Sequence, residues 1–264
     1  MRRALHLICM FLIAQPAAIR AQSPRQIVQQ AVQTEIAEDR NDHTHWIYYE
    51  SEREPKRTVE QWVADTQSAA VKRVLKRNGR SLNESQQSNE MDSFLKDARA
   101  QAKQRKSDQH DDDKAIELLR LLPDAFIWAE TGEEGSKTIL HFKPNPQFRP
   151  PNLEARVFSA AEGDLVVDSA QHRIASLKGR LIRDVKFAGG LLGELKSGGS
   201  FDVERREIGE KEWQITETHV HMQGHALFFK TIAIDEDDLK SNFKQLPENI
   251  SLQQAELELL SQSK

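Results

Sequence analysis

Cysteine is almost absent from this chain of 264 residues: the only one is Cys9, which lies in an apolar run near the N-terminus. We expect that run to be removed during maturation, which would leave a protein without thiols. A chain without thiols forms no disulfides, has no cysteine nucleophile and binds no zinc through cysteine. A lipoprotein signal would need a small residue before its cysteine, but Ile8 occupies that position, so lipidation is not expected.

Apolar runs long enough to cross a bilayer are lacking too. The run at residues 4–14 follows Arg2 and Arg3 and is succeeded by a break at Gln15-Pro16 and a small residue at Ala21. This order is typical of a cleavable secretory signal, and the run is too short for a transmembrane helix. We therefore predict a signal peptide at residues 1–21, and export to the periplasm or beyond. The alternative is an N-terminal anchor that stays uncleaved; an integral membrane protein with several spans is not expected.

Familiar catalytic motifs are missing. The chain contains neither Gly-x-Ser-x-Gly nor His-Glu-x-x-His, and the five glycines between Phe187 and Phe201 do not have the order of a phosphate-binding loop. Basic charge is not in excess either: the net charge is −4, and losing the three arginines of residues 1–21 lowers it by three, to −7. From the missing motifs we predict a non-enzymatic protein with no cofactor. Because nucleic-acid affinity depends on neutralising phosphates, we also expect this acidic chain to have no nucleic-acid partner.

What the chain has in abundance is alternation. Between residues 177 and 187, Leu177, Leu181, Val185 and Phe187 fall on one side, and mostly charged side chains fall on the other. A period of two indicates a sheet with one dry and one wet face. About eleven strands are predicted in this way, and so wide a sheet tends to curl. They lie near 44–53, 58–65, 69–77, 125–130, 137–142, 153–160, 164–168, 173–187, 199–208, 212–222 and 225–235.

Helices interrupt this pattern. Ser23-Pro24 predicts the start of a first helix, and a helical insertion at residues 83–122 contains two more, separated by a charged linker at 103–114. We predict a single α+β domain at residues 22–245, mainly antiparallel, in the form of an open, incomplete β-barrel with helices capping the concave face. Residues 246–264 are expected to form a tail with a loose amphipathic helix.

Two sets of residues are candidates for a site. The first consists of large apolar side chains that could line a hydrophobic ligand cavity, although a packed core is the alternative. These are Trp46, Tyr48, Trp62, Phe142, Leu181, Val185, Phe187 and Phe201. The second is Glu217, His219 and His221, which alternate on one strand and could hold zinc or copper. Because the neighbouring strands supply no clear further ligand, we expect a polar outer face there rather than a metal site.

The order of elements resembles the periplasmic lipoprotein-carrier superfamily, which includes the LolA and LolB carriers and the regulator RseB. An uncharacterised secreted bacterial branch of it is the closer resemblance. The resembling motifs are RNGRSL at 77–82, FKPNP at 142–146, VVD at 166–168, RI at 173–174, DVKF at 184–187 and ALFFK at 226–230. The resemblance implies a half-barrel whose helices cap a hydrophobic cavity for acyl chains, and it transfers no individual functional residue.

Three functions are therefore open. We expect an exported, non-enzymatic binder or carrier of lipid or lipoprotein acyl chains in the bacterial cell envelope. The alternative is a protein-interaction or envelope-stress sensor module of the same fold, which has no lipid cargo and contacts an envelope protein. The third is a metal-dependent activity centred on His219 and His221.

Overall fold

The computed structural model describes residues 22–187, 193–226 and 235–263. The predicted signal peptide lies outside these ranges. The described helices are α1 (Pro24–Asn41), α2 (Glu84–Lys96), α3 (Ala98–Ala125) and α4 (Leu252–Ser261), with a 3₁₀ helix at Glu154–Ala160. The described strands are β1 (His45–Glu54), β2 (Arg57–Ala64), β3 (Val71–Arg77), β4 (Arg80–Ser81), β5 (Phe126–Glu134), β6 (Lys137–Pro144), β7 (Ala161–Asp168), β8 (Arg173–Leu181), β9 (Val185–Phe187), β10 (Gly193–Leu195), β11 (Ser200–Gly209), β12 (Glu212–His221), β13 (Gly224–Ala226) and β14 (Asp235–Leu246).

Eleven of these strands form one antiparallel sheet in the order β4-β3-β2-β1-β14-β12-β11-β8-β7-β6-β5. A small second sheet has the order β13-β10-β9. Over the described residues, β4 and β5 form the two edges of the large sheet, so it is not closed into a barrel. The prediction of an α+β protein with a large, open, mainly antiparallel sheet is confirmed.

The first helix begins where its sequence predicts. The side-chain oxygen of Ser23 accepts a hydrogen bond from the Gln26 amide, and the Gln26 side chain accepts one from the Ser23 amide at 2.8 Å. This capping box satisfies amide groups that a helix start leaves unpaired, and Pro24 needs no partner because it has no N–H. One stripe of α1, which includes Val28 and Val32, is buried in the main hydrophobic core.

Helices cover both faces of the sheet, at opposite ends. Residues directly opposite each other in a ladder share a face, so the register defines an inner face, which carries Leu140, Leu165 and Leu177, and an outer face, which carries Ile47 and His219. Helices α1 and α3 pack on the inner face near β5, β7 and β8. Helices α2 and α4 pack on the outer face at β2 and β3. The expected helical cap thus describes α1 and α3 alone.

The strand predicted at residues 153–160 is a 3₁₀ helix instead. The Asn152 side chain accepts a hydrogen bond from the Ala155 amide at 2.8 Å, and Leu153 has helical dihedral angles. This local hydrogen bond stabilises a helical turn, so the apolar alternation of the residues that follow does not produce a strand here. Ala155 and Ala160 are buried in the turn.

The long strand predicted at residues 173–187 divides into β8 and β9, which belong to different sheets. After Leu181, the carboxylate of Asp184 accepts a hydrogen bond from the Ser197 amide at 2.9 Å and faces Lys196. These partners lie in the segment after β10, so the contacts of Asp184 hold the chain against that segment where it leaves the large sheet. Val185 and Phe187 nevertheless remain buried in the main core.

Two further expectations differ from the structure. The charged stretch at 103–114 is not a linker but the middle of the continuous helix α3, since long charged side chains suit an exposed helix face. Strand β14 was not predicted over residues 236–245, because its acidic start has low β-propensity. The predicted tail holds α4, in which Ala255 and Leu259 are fully buried.

Candidate functional site

An open cleft of about 540 Å³ lies between the inner face of the sheet and the helices α1 and α3. Its apolar wall comes from both layers. Helix α3 contributes Leu119 and Leu122, and the sheet contributes Leu165, Leu177 and Val203. Leu122 and Leu165 are buried at the base of this wall, and Leu119, Leu177 and Val203 are partly exposed in the cleft.

A buried ion cluster forms part of the cleft wall. The carboxylate of Glu35, on α1, accepts hydrogen bonds from the Arg173 Nη2 at 3.1 Å and from the backbone amide of Ile174 at 2.7 Å. A second guanidinium group, that of Arg205, contacts the same carboxylate, with Nη1 2.6 Å from Glu35 Oε1. Glu35 and Arg173 are almost fully buried. Because one carboxylate serves two guanidinium groups, this cluster anchors α1 to β8 and β11.

The mouth of the cleft is acidic. Glu38, Asp39, Asp42, Asp112 and Glu212 all line it. Burial raises the pKa of Asp112, and the neighbouring Asp39 adds to the effect. Burial likewise raises the pKa of Glu212, with Asp42 and Glu38 as further causes. Asp112 and Glu212 therefore experience the negative potential of their neighbours, and an anion would meet the same repulsion.

A β-bulge decides which side chains of β12 reach the cleft. Glu204 and Arg205 are adjacent on β11, but they face Glu217 and Ile215 on β12, so Thr216 is an extra residue. The bulge reverses the alternation at this point. As a result Ile215 lines the cleft on the inner face, whereas His219 lies on the outer face.

Among the described residues, none of the eight predicted cavity residues lines this cleft. Phe142, Leu181, Val185 and Phe187 are buried in the main core, and Phe201 packs against that core. Trp46 and Tyr48 contact the ring of Phe243. Trp62 lies on the outer face, where its indole N–H donates to the carbonyl of Ser263.

In the sequence, the cleft residues of α3 belong to a strongly apolar helical segment, and Leu177 belongs to the apolar side of an alternating strand. Neither pattern distinguishes a ligand wall from a packed core, because both are apolar at the spacing of their element. The distinction depends on the distance between helix and sheet.

A second group of polar side chains lies on the outer face, across β12 and β14. His219 Nδ1 is 2.6 Å from Asp237 Oδ1, and His221 Nδ1 is 2.6 Å from Asp235 Oδ1. The expectation that neighbouring strands supply no further ligand is wrong, because β14 brings both aspartates opposite the histidines. The hydrogen bond from His219 lowers the pKa of Asp237, and Arg53 contributes in the same direction. Glu217 is on the same face, paired with Arg206 at 2.6 Å.

The fold defines an α+β protein with an open antiparallel sheet, an apolar cleft on one face and a histidine–aspartate cluster on the other. No protein-family model, curated protein or solved structure matches the chain. The resemblance to the lipoprotein-carrier superfamily therefore stays a prediction. Over the described residues, none of the helices is both long enough and apolar enough to cross a membrane.

Proposed function

We propose that the protein is an exported, non-enzymatic binder or carrier of lipid or lipoprotein acyl chains in the bacterial cell envelope. The observation that supports this best is the apolar cleft between α1, α3 and the inner face. Its volume of about 540 Å³ lies within the range of about 300–1,000 Å³ that small-molecule sites occupy. The export part of the proposal depends on the sequence of residues 1–21 alone.

Burial of hydrocarbon would provide the driving force. Each methylene transferred from water contributes about 0.8 kcal/mol, so a chain of roughly ten methylenes contributes roughly 8 kcal/mol before the cost of ordering it. Leu119, Leu177 and Ile215, which are all at least partly exposed, offer the apolar surface for this contact.

The acidic mouth selects the head group. A free fatty acid would place its carboxylate near Asp39, Asp112 and Glu212, and like charges in close contact are unfavourable. The two arginines of the cleft do not compensate, because Glu35 already pairs with both. An acyl chain in ester or amide linkage, as in a lipoprotein, has no such charge. The proposal is therefore for an uncharged head rather than a fatty-acid anion.

The test uses two probes with the same chain, monopalmitoylglycerol and palmitate, incubated with the purified protein and counted by native mass spectrometry. We expect one bound copy of the neutral probe and weaker retention of palmitate. Two variants test the location: Ile215→Glu in the cleft and Leu239→Glu on the outer face. Both side chains are 42% exposed, so the substitutions disturb folding to a similar degree.

Ile215→Glu should reduce binding of monopalmitoylglycerol, and Leu239→Glu should not. If the wild-type protein retains neither probe, or if both variants bind it equally, the proposal is wrong. The interaction module considered in the sequence analysis would then be the next candidate beside a metal-dependent activity, and affinity capture of an envelope protein would be the experiment to make.

A further inference from the structure

The histidine–aspartate cluster on the outer face brings nitrogen and oxygen atoms of three side chains to one place. His219 Nδ1 lies 2.6 Å from Asp237 Oδ1, and His221 Nε2 lies 3.3 Å from the same oxygen. On its other side, His221 Nδ1 lies 2.6 Å from the carboxylate of Asp235. An imidazole held through one ring nitrogen presents the other as a metal ligand, so the ring of His221 directs Nε2 toward Asp237.

We infer that His219, His221 and Asp237 form a binding site for a divalent transition metal, with zinc as the metal that best fits the donors. One ligand atom from each of the three residues lies within 4.8 Å of the others. Atoms bound at about 2.0–2.1 Å to a tetrahedral zinc ion are about 3.3–3.4 Å apart. The pair formed by His221 Nε2 and Asp237 Oδ1 already has this separation.

The surroundings support the three ligands. Asp235 holds the Nδ1–H of His221 and so directs Nε2 toward Asp237, which is the role that carboxylates play beside metal-bound histidines. Arg53 pairs with the Oδ2 atom of Asp237, so that Oδ1, which lies 2.6 Å from His219 Nδ1, is the oxygen directed toward the two histidines. Glu217 Oε2 lies 3.9 Å from His219 Nε2, close enough to orient that ring or to approach the metal.

The charge balance favours a cation at this place. Glu217, Asp235 and Asp237 carry three negative charges, against which Arg53 and Arg206 supply two positive charges. Strand β14 begins with four consecutive acids although it lies between two other strands of the sheet. A divalent ion joining β12 to β14 would offset these charges where the strands meet.

The experiment is titration of zinc into the EDTA-treated, desalted protein by isothermal calorimetry, with a thermal melt and the visible spectrum of the cobalt-substituted protein as further readouts. We expect one zinc ion per chain, a higher melting temperature with zinc, and a tetrahedral cobalt spectrum. The ligand variants His219→Gln, His221→Gln and Asp237→Asn should abolish stoichiometric binding. Asp235→Asn should weaken it roughly 10- to 100-fold, as loss of an orienting carboxylate does.

His141→Gln is the matched control. His141 also lies on the outer face, 2.8 Å from Asp164 and 3.7 Å from Glu162, but among the described residues it belongs to no group of three potential metal ligands. Zinc binding should be unchanged in this variant. If the wild-type protein binds no zinc, or if the His219 and His221 variants bind it as tightly as His141→Gln, the inference is wrong and the cluster consists of ion pairs only. Ile215→Glu, on the opposite face, should bind zinc normally, so the two proposals can fail independently.

Discussion

Glu35 should be among the least replaceable polar residues of the protein. We consider the substitution Glu35→Gln, which keeps the shape of the side chain and removes its charge. Both guanidinium groups that it serves, Arg173 and Arg205, would remain largely buried, with side-chain exposures of 7% and 17%. Breaking a buried ion pair by removing one partner costs about 3–5 kcal/mol, because the remaining charge is left without compensation. The free energy of unfolding should fall by that amount.

Glu38→Gln is the appropriate control. Glu38 belongs to the same helix and approaches the same guanidinium group, but its distance to Arg173 is 3.8 Å and its side chain is 52% exposed. Exposed pairs of this kind contribute about 0–1 kcal/mol. Equilibrium unfolding in urea, followed by tryptophan fluorescence and circular dichroism, measures both variants. If Glu35→Gln lies within about 1 kcal/mol of the wild type, the account of this cluster is wrong.

Two further predictions concern one backbone contact and one carboxyl group. In Gly163→Ala the new Cβ would lie 1.9 Å from the Lys178 carbonyl oxygen, so the free energy of unfolding should fall by about 1–3 kcal/mol or more, as measured by thermal unfolding. Gly132→Ala is the control, because its Cβ would meet only a side-chain atom at 3.9 Å and should change stability very little. Equal effects of the two substitutions would refute the argument. Burial raises the pKa of Asp65 from 3.8 to about 6, so the folded state keeps a proton that the unfolded chain releases, and stability falls as the pH rises from about 4 to 6. Asp65→Asn should therefore raise the free energy of unfolding in urea by up to about 3 kcal/mol at pH 7.5 and hardly change it at pH 4. A gain of the same size at both pH values would contradict the raised pKa of Asp65.

Where local signals agree with the fold, the sequence was a reliable guide. The capping box at Ser23 and the alternation in β1, β2 and β3 depend on neighbours within a few residues, and each element was predicted within about two residues of its observed bounds. The wide antiparallel sheet followed from the same alternation. Such patterns are local because side-chain direction is determined by the backbone of the element itself.

The candidate sites were harder to predict because both depend on partners distant in the chain. Ile215 reaches the cleft only because the bulge at Thr216 reverses the faces of β12, and a bulge depends on pairing with β11. The histidines of β12 were recognised, but Asp237 was not, since its strand has the composition of a loop.

The sequence by itself determined the start of α1, most of the alternating strands, the absence of thiols from residues 22–264 and the mainly antiparallel fold class. Only the tertiary structure decided that β14 lies between β1 and β12, that helices cover both faces, and that an apolar cleft remains beneath α1 and α3. The physical reason is that propensity and periodicity act over a few residues. Strand order, register and the gap between two layers are instead determined by contacts between residues that are far apart in the chain.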